Sequence, residues 1–443
     1  MKIIVIGGNA AGMSAASRLV RKNKEMQVTV YEKTNEVSYG ACGMPYYIAG
    51  FNDNIDLMRI RTPEEFRKSG INLLLQHEVI SVDVDEKTIK LRDLNSGTEF
   101  TDNYDKLIVA SGSSSIMPPF PGRELANVFT LKTLDEAENI RTAVLNDDVK
   151  TVAIIGGGYI GLELAEACIV RGKKVHVFEA MHHLLNGFDE EFCLEVESEL
   201  NSHGAILHLE EKVESILGAN KVEGICTNKG NYNVDLVVVA VGVRPNTGFI
   251  NHESLKKERN GALTVDGLMQ TTNPDILAAG DCATVMHKIL KKPVYIPLGT
   301  NANKQGRFAA DTLLGTGRPL DNTLGTAMLR CMNLELAKTG ITEKEANSAG
   351  ISVKTVTVKT RSHARYYPDP QELTIKLCYD AESRVLLGGQ LMGKKECALR
   401  VNVLACAIDR EMTVDELGRL DLGYAPPFAS VWDAVHIAAN AAK

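Results

Sequence analysis

Two segments of the chain share one pattern, and this repeat restricts the fold more than any other feature of the sequence. Over residues 2–32 and 151–179, a short β-branched run leads through a glycine-rich turn and a helical stretch to a second apolar run that ends at a glutamate. This is the order of a βαβ unit that binds a dinucleotide, in which glycines let a pyrophosphate approach the helix N-terminus. We therefore predict an α/β protein with two Rossmann-like dinucleotide-binding domains.

The first glycine turn, Gly7-Gly-Asn-Ala-Ala-Gly12, departs from the G-x-G-x-x-G fingerprint because Asn9 replaces the second glycine. Glu32 follows about 20 residues after Gly12, the spacing at which a carboxylate accepts hydrogen bonds from a ribose hydroxyl. A binding turn is the hypothesis here, and an ordinary βαβ turn without a ligand is the alternative.

The second turn, Gly156-Gly-Gly158-Tyr-Ile-Gly161, is an unbroken fingerprint, and Glu179 ends its unit. Glu179 favours a free 2′-hydroxyl and hence NADH, because an NADPH site more often places arginine there to pair with the 2′-phosphate. His182 and His183 follow directly and could soften that preference, although a solvated histidine pair is the ordinary alternative.

A third acidic loop, Asp275-Ile-Leu-Ala-Ala-Gly280-Asp281, belongs to another predicted strand and turn. Two dinucleotide folds in one chain indicate two dinucleotides, one a bound flavin, FAD, and the other a diffusing nicotinamide. Asp281 suits a carboxylate that binds the ribityl chain of FAD, and a surface turn aspartate is the alternative.

Composition excludes several classes of protein. The net charge of −7 and the pI near 5.9 argue against a nucleic-acid partner, although a local basic pocket is compatible with them. No apolar run approaches the ~18 residues needed to span a membrane. The N-terminus leads from Met1 straight into a short strand and glycines, so we expect no signal peptide and a cytoplasmic protein. No Cys/His cluster has zinc spacing, so we predict no metal.

Nine cysteines at irregular spacing do not form a disulfide framework. Cys42 differs from the rest because nearby Gly and Pro residues predict a loop leading into a helix N-terminus, where partial positive charge lowers a thiol pKa. A buried, inert thiol is the alternative for Cys42. The other eight are expected to be buried structural thiols: Cys168, Cys193, Cys226, Cys282, Cys331, Cys378, Cys397 and Cys406.

Nearly the whole chain resembles the pyridine nucleotide–disulfide oxidoreductases. The resemblance rests on both fingerprints, Cys42, Ala110-Ser-Gly112, Gly242-Val-Arg-Pro-Asn246 and Ala279-Gly-Asp281. It implies bound FAD, NADH or NADPH as co-substrate, and a homodimer held by a C-terminal α+β domain. The expected domains are a split FAD-binding domain (1–117 and 253–323), an NAD(P)-binding domain (118–252) and the interface domain (324–443).

The resemblance also implies which residues contact the cofactors. They are Gly7, Gly12, Glu32, Lys33, Ala110, Gly112, Gly156, Gly158, Gly161, Glu179, Gly242, Gly280 and Asp281.

The missing second cysteine points to one branch of this family. Members similar to glutathione reductase carry two redox cysteines, whereas Val37 and Tyr47 occupy the positions where a partner for Cys42 would stand. The single-cysteine branch contains coenzyme A disulfide reductases, NADH oxidases, NADH peroxidases and CoA-linked polysulfide reductases. Its peroxidases and water-forming oxidases use a histidine where this chain has Ala10, so the chain looks more similar to the CoA disulfide reductases.

This resemblance implies that Cys42 is the redox cysteine and forms a mixed disulfide with coenzyme A. Tyr366 and Tyr424 of the partner subunit would protonate the leaving thiolate, with Tyr367 as the fallback for Tyr366; a phenol has a pKa of about 10 and is protonated at neutral pH. Structural packing is the alternative for these tyrosines.

Six residues are expected along a CoA channel: Ser14, Arg18, Arg21, Ser38, Asn303 and Arg307. Arg18 and Arg21 share one helix face and could bind phosphates, with a solvated face as the alternative. The reductases carry asparagine before the cysteine, where this chain has Ala41, so reduction of polysulfide or a CoA persulfide is also open.

The sequence thus favours an NAD(P)H-dependent flavoprotein that reduces CoA disulfide. An NADH oxidase that reduces O₂ is the alternative. A non-catalytic redox protein is disfavoured because the second fingerprint is intact.

Overall fold

The computed structural model describes all 443 residues and divides them into two units. The first unit consists of Met1–Met44, Asp53–Ser115 and Val243–Thr323, and the second of Pro45–Asn52, Ile116–Gly242 and Leu324–Lys443. The predicted fold class, with two dinucleotide-binding folds and a C-terminal dimerisation domain, is confirmed. The bounds of the four predicted domain segments stay predictions.

The strands are, in chain order, β1 (Lys2–Ile6), β2 (Gln27–Tyr31), β3 (Asn72–Leu74), β4 (His77–Asp83), β5 (Thr88–Asp93), β6 (Glu99–Asn103), β7 (Lys106–Val109), β8 (Ser113–Ser115), β9 (Val128–Thr130), β10 (Thr151–Ile155), β11 (Lys174–Phe178), β12 (Ile206–His208), β13 (Val213–Leu217), β14 (Gly224–Thr227), β15 (Asn231–Asn233), β16 (Leu236–Val239), β17 (Val243–Pro245), β18 (Ile276–Ala278), β19 (Val285–Met286), β20 (Pro293–Val294), β21 (Ala327–Cys331), β22 (Leu334–Gly340), β23 (Val353–Arg361), β24 (Glu372–Asp380) and β25 (Leu386–Gly393).

The helices are α1 (Ala10–Lys22), α2 (Met44–Ala49), α3 (Pro63–Lys68), α4 (Leu134–Leu145), α5 (Tyr159–Val170), α6 (Glu190–Ser202), α7 (Gly299–Leu313), α8 (Glu343–Ser348), α9 (Val401–Asp409), α10 (Val414–Leu417) and α11 (Ala434–Ala441). None of them is both long enough and apolar enough to cross a membrane.

The first unit is built on a parallel sheet of order β18-β7-β1-β2-β3. Strand β1 lies at its centre, where Ile3, Ile4 and Val5 are fully buried, as expected of a strand covered on both faces. Because all five strands run in one direction, the turns after β1, β2, β7 and β18 meet at the same edge. Motifs from distant parts of the chain are thereby brought to one place.

The second unit repeats this plan in a parallel sheet of order β12-β11-β10-β16-β9. The second fingerprint follows β10, and Glu179 follows β11. A small antiparallel sheet, β13-β14-β15, packs through Ile216 and Ile225 against residues of the parallel sheet, including Ala153.

The C-terminal part of the second unit is an antiparallel sheet of order β21-β22-β25-β24-β23, with α9 and α11 packed against it. The buried ammonium of Lys376 on β24 lies 3.0 Å from Asp189, 2.9 Å from Glu191 and 3.1 Å from Glu343. This network of charges ties the start of α6 to the C-terminal sheet. Three carboxylates compensate the buried cation.

The expectation that eight cysteines are buried is wrong for Cys406 and only partly right for Cys226, which is half-buried. Helix α9 buries Leu404 and Ile408 one turn apart, so Cys406, halfway between them, lies on the opposite face and is exposed. The remaining six are buried, and all nine are thiols.

Candidate functional site

The first glycine turn is packed so closely that two of its positions accept only glycine. A Cβ at Gly7, which has φ of +106°, would lie 2.2 Å from the carbonyl oxygen of Ala110. A Cβ at Gly12 would lie 1.9 Å from the carbonyl oxygen of Gly7. The turn therefore holds β1, β7 and the start of α1 together at the carboxyl edge of the sheet.

Asn9, which breaks the fingerprint, has a structural partner. Its side-chain Oδ1 accepts a hydrogen bond of 3.2 Å from the backbone N–H of Tyr39, and the Ser38 N–H donates to the Gly8 carbonyl at 3.0 Å. The departure from glycine thus ties the first turn to the segment that leads to Cys42. Sequence reasoning missed this contact, because only the fold brings the two segments together.

The two glutamates that end the repeated units are held in the same way. Oε2 of Glu32 accepts from the Gly8 N–H at 2.7 Å, and Oε1 accepts from both the N–H and the hydroxyl of Thr34 at 2.8 Å. Glu179 accepts one bond on each oxygen, from the Gly157 and Met181 N–H groups, both at 2.8 Å. Oε2 of Glu32 and both oxygens of Glu179 therefore keep a lone pair that can accept from a hydroxyl group. Lys33, by contrast, lies at the surface beside Glu78.

Asp281 is fixed at the same edge of the first unit. Its carboxylate accepts from the Ser113 hydroxyl at 2.9 Å, and its backbone carbonyl accepts from the Tyr295 hydroxyl at 3.0 Å. Gly280, with φ of +83°, donates its N–H to the side chain of Gln305 at 2.9 Å. Burial raises the pKa of Tyr295, so this phenol stays a donor. No sequence pattern pointed to Tyr295, which lies outside every motif.

Two further glycines have open space beside them. A Cβ at Gly112, in the turn after β7, or at Gly158, in the second fingerprint, would meet no atom within 4 Å, so a ligand can approach the backbone there. The carboxylates of Glu32 and Glu179 are fixed beside the first and second glycine turns. This set of groups fits FAD in the first unit and NAD(P)H in the second.

Helix α5, which begins at the second fingerprint, carries a carboxyl group that the sequence analysis did not single out. Burial, with the neighbouring Glu166, raises the pKa of Glu163 to about 7. Burial also raises the pKa of Tyr46 to about 12, and this phenol is hydrogen-bonded to Glu163. A carboxyl group that titrates near neutral pH can hold or release a proton at the working pH.

Cys42 is exposed and lies in a single 3₁₀ turn, Ala41–Gly43, directly before α2. The predicted transition from a loop to a helix is therefore present. A Cβ at Gly43 would come within 3.0 Å of the Met58 sulfur, and the Gly40 N–H donates to the Met58 carbonyl at 2.8 Å. These contacts fix the backbone on both sides of the thiol.

Helices α1 and α7 pack side by side and bring several predicted channel residues together. A Cβ at Gly306 would lie 2.1 Å from the Ala11 carbonyl oxygen, so glycine permits this close approach. The Ser14 hydroxyl lies 3.2 Å from the side-chain oxygen of Asn303. Ser38 lies on the loop before Cys42, in the left-handed region with φ of 50°.

The three arginines predicted for the channel lie in different surroundings. Arg18 forms an ion pair with Asp311, Nε to Oδ1 2.5 Å, and this hydrogen bond raises the pKa of Arg18. Arg21 and Arg307 are exposed and do not line the adjoining groove. That groove has a volume of about 660 Å³, and its lining includes the cations of Arg18, Lys22 and Arg318. Lys22 and Arg318 were not predicted as lining residues, because the ends of α1 and α7 are brought together only by the fold.

Tyr366 and Tyr424, which were predicted to protonate the same leaving thiolate, lie next to each other. Their hydroxyl groups are hydrogen-bonded to each other, and this bond raises the pKa of Tyr424. Tyr367 instead packs against the ring of His363, with ring centroids 5.5 Å apart. The geometry thus favours Tyr366 over Tyr367 as the member of the pair.

Comparison with known proteins gives concordant results. Residues 1–306 match the family described as pyridine nucleotide-disulphide oxidoreductase, and residues 327–435 match the dimerisation domain of that family. The chain is 38% identical to the NAD(P)H sulfur oxidoreductase (CoA-dependent) of Pyrococcus furiosus, covering 100% of this chain and 99% of that protein.

Two solved structures have nearly the same fold. The reduced CoADR-RHD of Bacillus anthracis is 30% identical with a TM-score of 0.96, over 99% of this chain and 79% of that one. The water-forming NADH oxidase of Lactobacillus brevis is 32% identical with a TM-score of 0.96, over 100% of this chain and 98% of that one.

Proposed function

Since the chain belongs to the pyridine nucleotide-disulphide oxidoreductase family, we propose that it reduces coenzyme A disulfide with NAD(P)H through the thiol of Cys42. Membership makes it an oxidoreductase that depends on FAD and NAD(P)H. The proposed overall reaction is NAD(P)H + H⁺ + CoA–S–S–CoA → NAD(P)⁺ + 2 CoA–SH. We also propose that the working form is a homodimer.

The observation that carries the proposal is the environment of Cys42. The first unit contains one other cysteine, Cys282, which is buried and lies 3.2 Å from the Val109 carbonyl oxygen. Burial raises the pKa of Cys282, so it stays a thiol. If Cys42 reduces a disulfide, the thiol that resolves the mixed disulfide must come from the substrate, because Cys282 is buried, and a CoA disulfide supplies one.

Different residues of the chain serve the attack on the disulfide and the protonation of the leaving group. The Cys42 thiolate attacks the disulfide, forms a Cys42–S–S–CoA bond and displaces one CoA thiolate. Tyr366 and Tyr424 of the other subunit hold the proton that this thiolate takes up. Bound FAD supplies the relay that passes two electrons from NAD(P)H to the mixed disulfide, which frees Cys42 and the second CoA.

The groove beside α1 supports a ligand of this kind. Lys22 and Arg318 bring cations to a surface where Arg18 is already neutralised by Asp311. CoA carries a pyrophosphate and a 3′-phosphate, which such side chains bind through charge-assisted hydrogen bonds. The similarity to a CoA-dependent sulfur oxidoreductase also keeps a CoA persulfide or polysulfide as an alternative acceptor.

A second candidate function is an NADH oxidase that reduces O₂. The similarity to a water-forming NADH oxidase over the whole chain favours it. Ala10 weighs against it, because this side chain cannot transfer a proton at the position where the resemblance expects a histidine.

A comparison of acceptors tests the proposal. NAD(P)H consumption by the holoenzyme is measured with CoA disulfide, polysulfide or O₂, in the wild type and in Cys42→Ser and Cys406→Ser variants. Cys406 is the matched control because it is also an exposed thiol. We expect Cys42→Ser to abolish disulfide turnover and Cys406→Ser to retain it. An intact mass that falls on mild reduction, in the wild type but not in Cys42→Ser, would identify the mixed disulfide.

Full disulfide turnover by Cys42→Ser would contradict the proposal. Turnover of O₂ far above that of every sulfur acceptor would favour the oxidase instead.

A further inference from the structure

Two loops without regular secondary structure carry the tyrosine pair. One connects β23 to β24 and holds Tyr366, which is 74% exposed; the other precedes α11 and holds Tyr424, which is 45% exposed. Their hydroxyl groups nevertheless meet. Exposed loops sample many conformations, so a defined hydroxyl pair needs something that fixes both loops relative to each other.

The guanidinium of Arg400 contacts both loops. Its Nη2 donates to the carbonyl oxygen of Ser362 at 2.7 Å and to that of Phe428 at 3.0 Å. Ser362 lies four residues before Tyr366, and Phe428 lies four residues after Tyr424. One nitrogen atom therefore joins the backbones of the two loops.

Arg400 is itself held rigidly. Its side chain is only 12% exposed, and its Nε lies 2.9 Å from Oδ2 of Asp433. Asp433 also caps α11 by accepting from the Val435 N–H at 2.9 Å. A third nitrogen, Nη1, donates to the Glu396 carbonyl oxygen. A planar guanidinium with five donors can make these contacts together, whereas an ammonium cannot.

We propose that Arg400 is a positioning residue that sets the relative placement of Tyr366 and Tyr424. It touches neither hydroxyl group and acts through the two loop carbonyls. This inference rests on the proposed function insofar as the tyrosine pair serves disulfide reduction. The placement itself is a property of the fold that can be measured without turnover.

The test compares Arg400→Lys and Arg400→Met with a matched control, Arg384→Lys. Arg384 is another arginine of the C-terminal region that pairs with a carboxylate, Asp415, at 2.7 Å, and it contacts neither tyrosine loop. Arg400→Lys keeps the charge beside Asp433 and guards against a variant that simply fails to fold.

The first readout is kinetic. With CoA disulfide as acceptor, kcat of Arg400→Lys should fall about tenfold to a hundredfold, since a small misplacement of catalytic groups has that effect. The rate with ferricyanide, an outer-sphere oxidant that needs no proton donor, should stay unchanged, as should KM for NAD(P)H. Arg384→Lys should resemble the wild type in every assay.

The second readout needs no activity. Fluorotyrosine is incorporated, and Tyr366→Phe and Tyr424→Phe variants assign the two ¹⁹F signals. In the wild type and in Arg384→Lys the Tyr424 signal should titrate at a higher pH than free fluorotyrosine, and in both Arg400 variants it should titrate close to the free amino acid.

A wild-type phenol titration in Arg400→Lys would overturn the inference. An equal loss of CoA disulfide and ferricyanide turnover would also overturn it, since that pattern indicates general destabilisation. If the wild type reduces no sulfur acceptor, the proposed function fails while the ¹⁹F titration still decides the role of Arg400.

Discussion

The carboxylate of Glu179 accepts a hydrogen bond from the backbone N–H of Gly157 at 2.8 Å. The equivalent bond joins Glu32 to Gly8 at 2.7 Å in the other repeat. In both folds, the turn predicted to bind a pyrophosphate also orients the carboxylate predicted to bind a ribose. We therefore expect cofactor choice in the second unit to depend on a side chain that the fingerprint itself holds in place.

Changing this carboxylate should change the preferred nicotinamide. In the double variant Glu179→Ala/Ala180→Arg, the lost charge-assisted hydrogen bonds should lower kcat/KM for NADH by about tenfold to a hundredfold. The new guanidinium should favour a 2′-phosphate and raise kcat/KM for NADPH. Steady-state kinetics with both cofactors measures the ratio. Glu195→Ala, an exposed change on α6, is the control, and an unchanged ratio in the double variant would refute the assignment.

Tyr295 should help to retain the flavin. Removing its hydroxyl in Tyr295→Phe leaves the Asp281 carbonyl without this donor, which costs about 1 kcal/mol and should increase the dissociation constant for FAD about fivefold. Equilibrium fluorescence of released FAD measures it. Tyr104→Phe is the matched control, because the Tyr104 hydroxyl is buried without a hydrogen-bond partner and its loss should be neutral. Equal effects of the two changes would contradict the prediction.

The contact between α1 and α7 should not tolerate a methyl group. Gly306→Ala places a Cβ 2.1 Å from the backbone oxygen of Ala11, so the helices must move apart, at a cost of about 1–3 kcal/mol. The free energy of unfolding, from chemical denaturation, should fall accordingly. Gly299→Ala in the same helix meets no atom within 4 Å and should leave stability unchanged or slightly higher. A similar result for both variants would mean that the helices adjust freely.

Acid should weaken the fold through His176. Burial, with the neighbouring His208, lowers the pKa of His176 from 6.5 to about 4. Between these values the unfolded chain binds a proton that the folded chain does not, so stability is complete above pH 6.5 and falls as the pH drops toward 4. Chemical denaturation at several pH values should show this slope. It should be smaller in His176→Gln, which cannot titrate, and an identical slope in both proteins would exclude His176 as its source.

Local motifs allowed the sequence to predict the repeated folds. At Gly7 and Gly161 a Cβ would collide with the backbone, so only glycine fits. The presence of glycine at these positions therefore indicates the tight turn. Contacts between distant segments had no such signal. Arg18, which the sequence predicted as a phosphate ligand, forms an ion pair with Asp311, 293 residues away. The prediction for Cys406 was wrong because the sequence of α9 does not reveal which face of the helix packs against the sheet.

For the tyrosine pair, the sequence predicted the residue types but not their contact. Tyr366 and Tyr424 were chosen by resemblance, and only the fold brings their hydroxyl groups together. Arg400 carried no recognisable pattern at all. Arg400 bonds two backbone carbonyl groups, and these are the same in every residue type. The sequence therefore could not indicate its partners.

The order of strands in the first sheet has a consequence for synthesis on the ribosome. Strand β18, residues Ile276–Ala278, forms the edge next to β7, although the neighbouring strands are made much earlier. The nascent chain must therefore keep the β7 edge from pairing wrongly while the whole segment 116–242 emerges. That intervening segment contains every strand of its own parallel sheet. It can thus mature before the sheet that precedes it in the chain is complete.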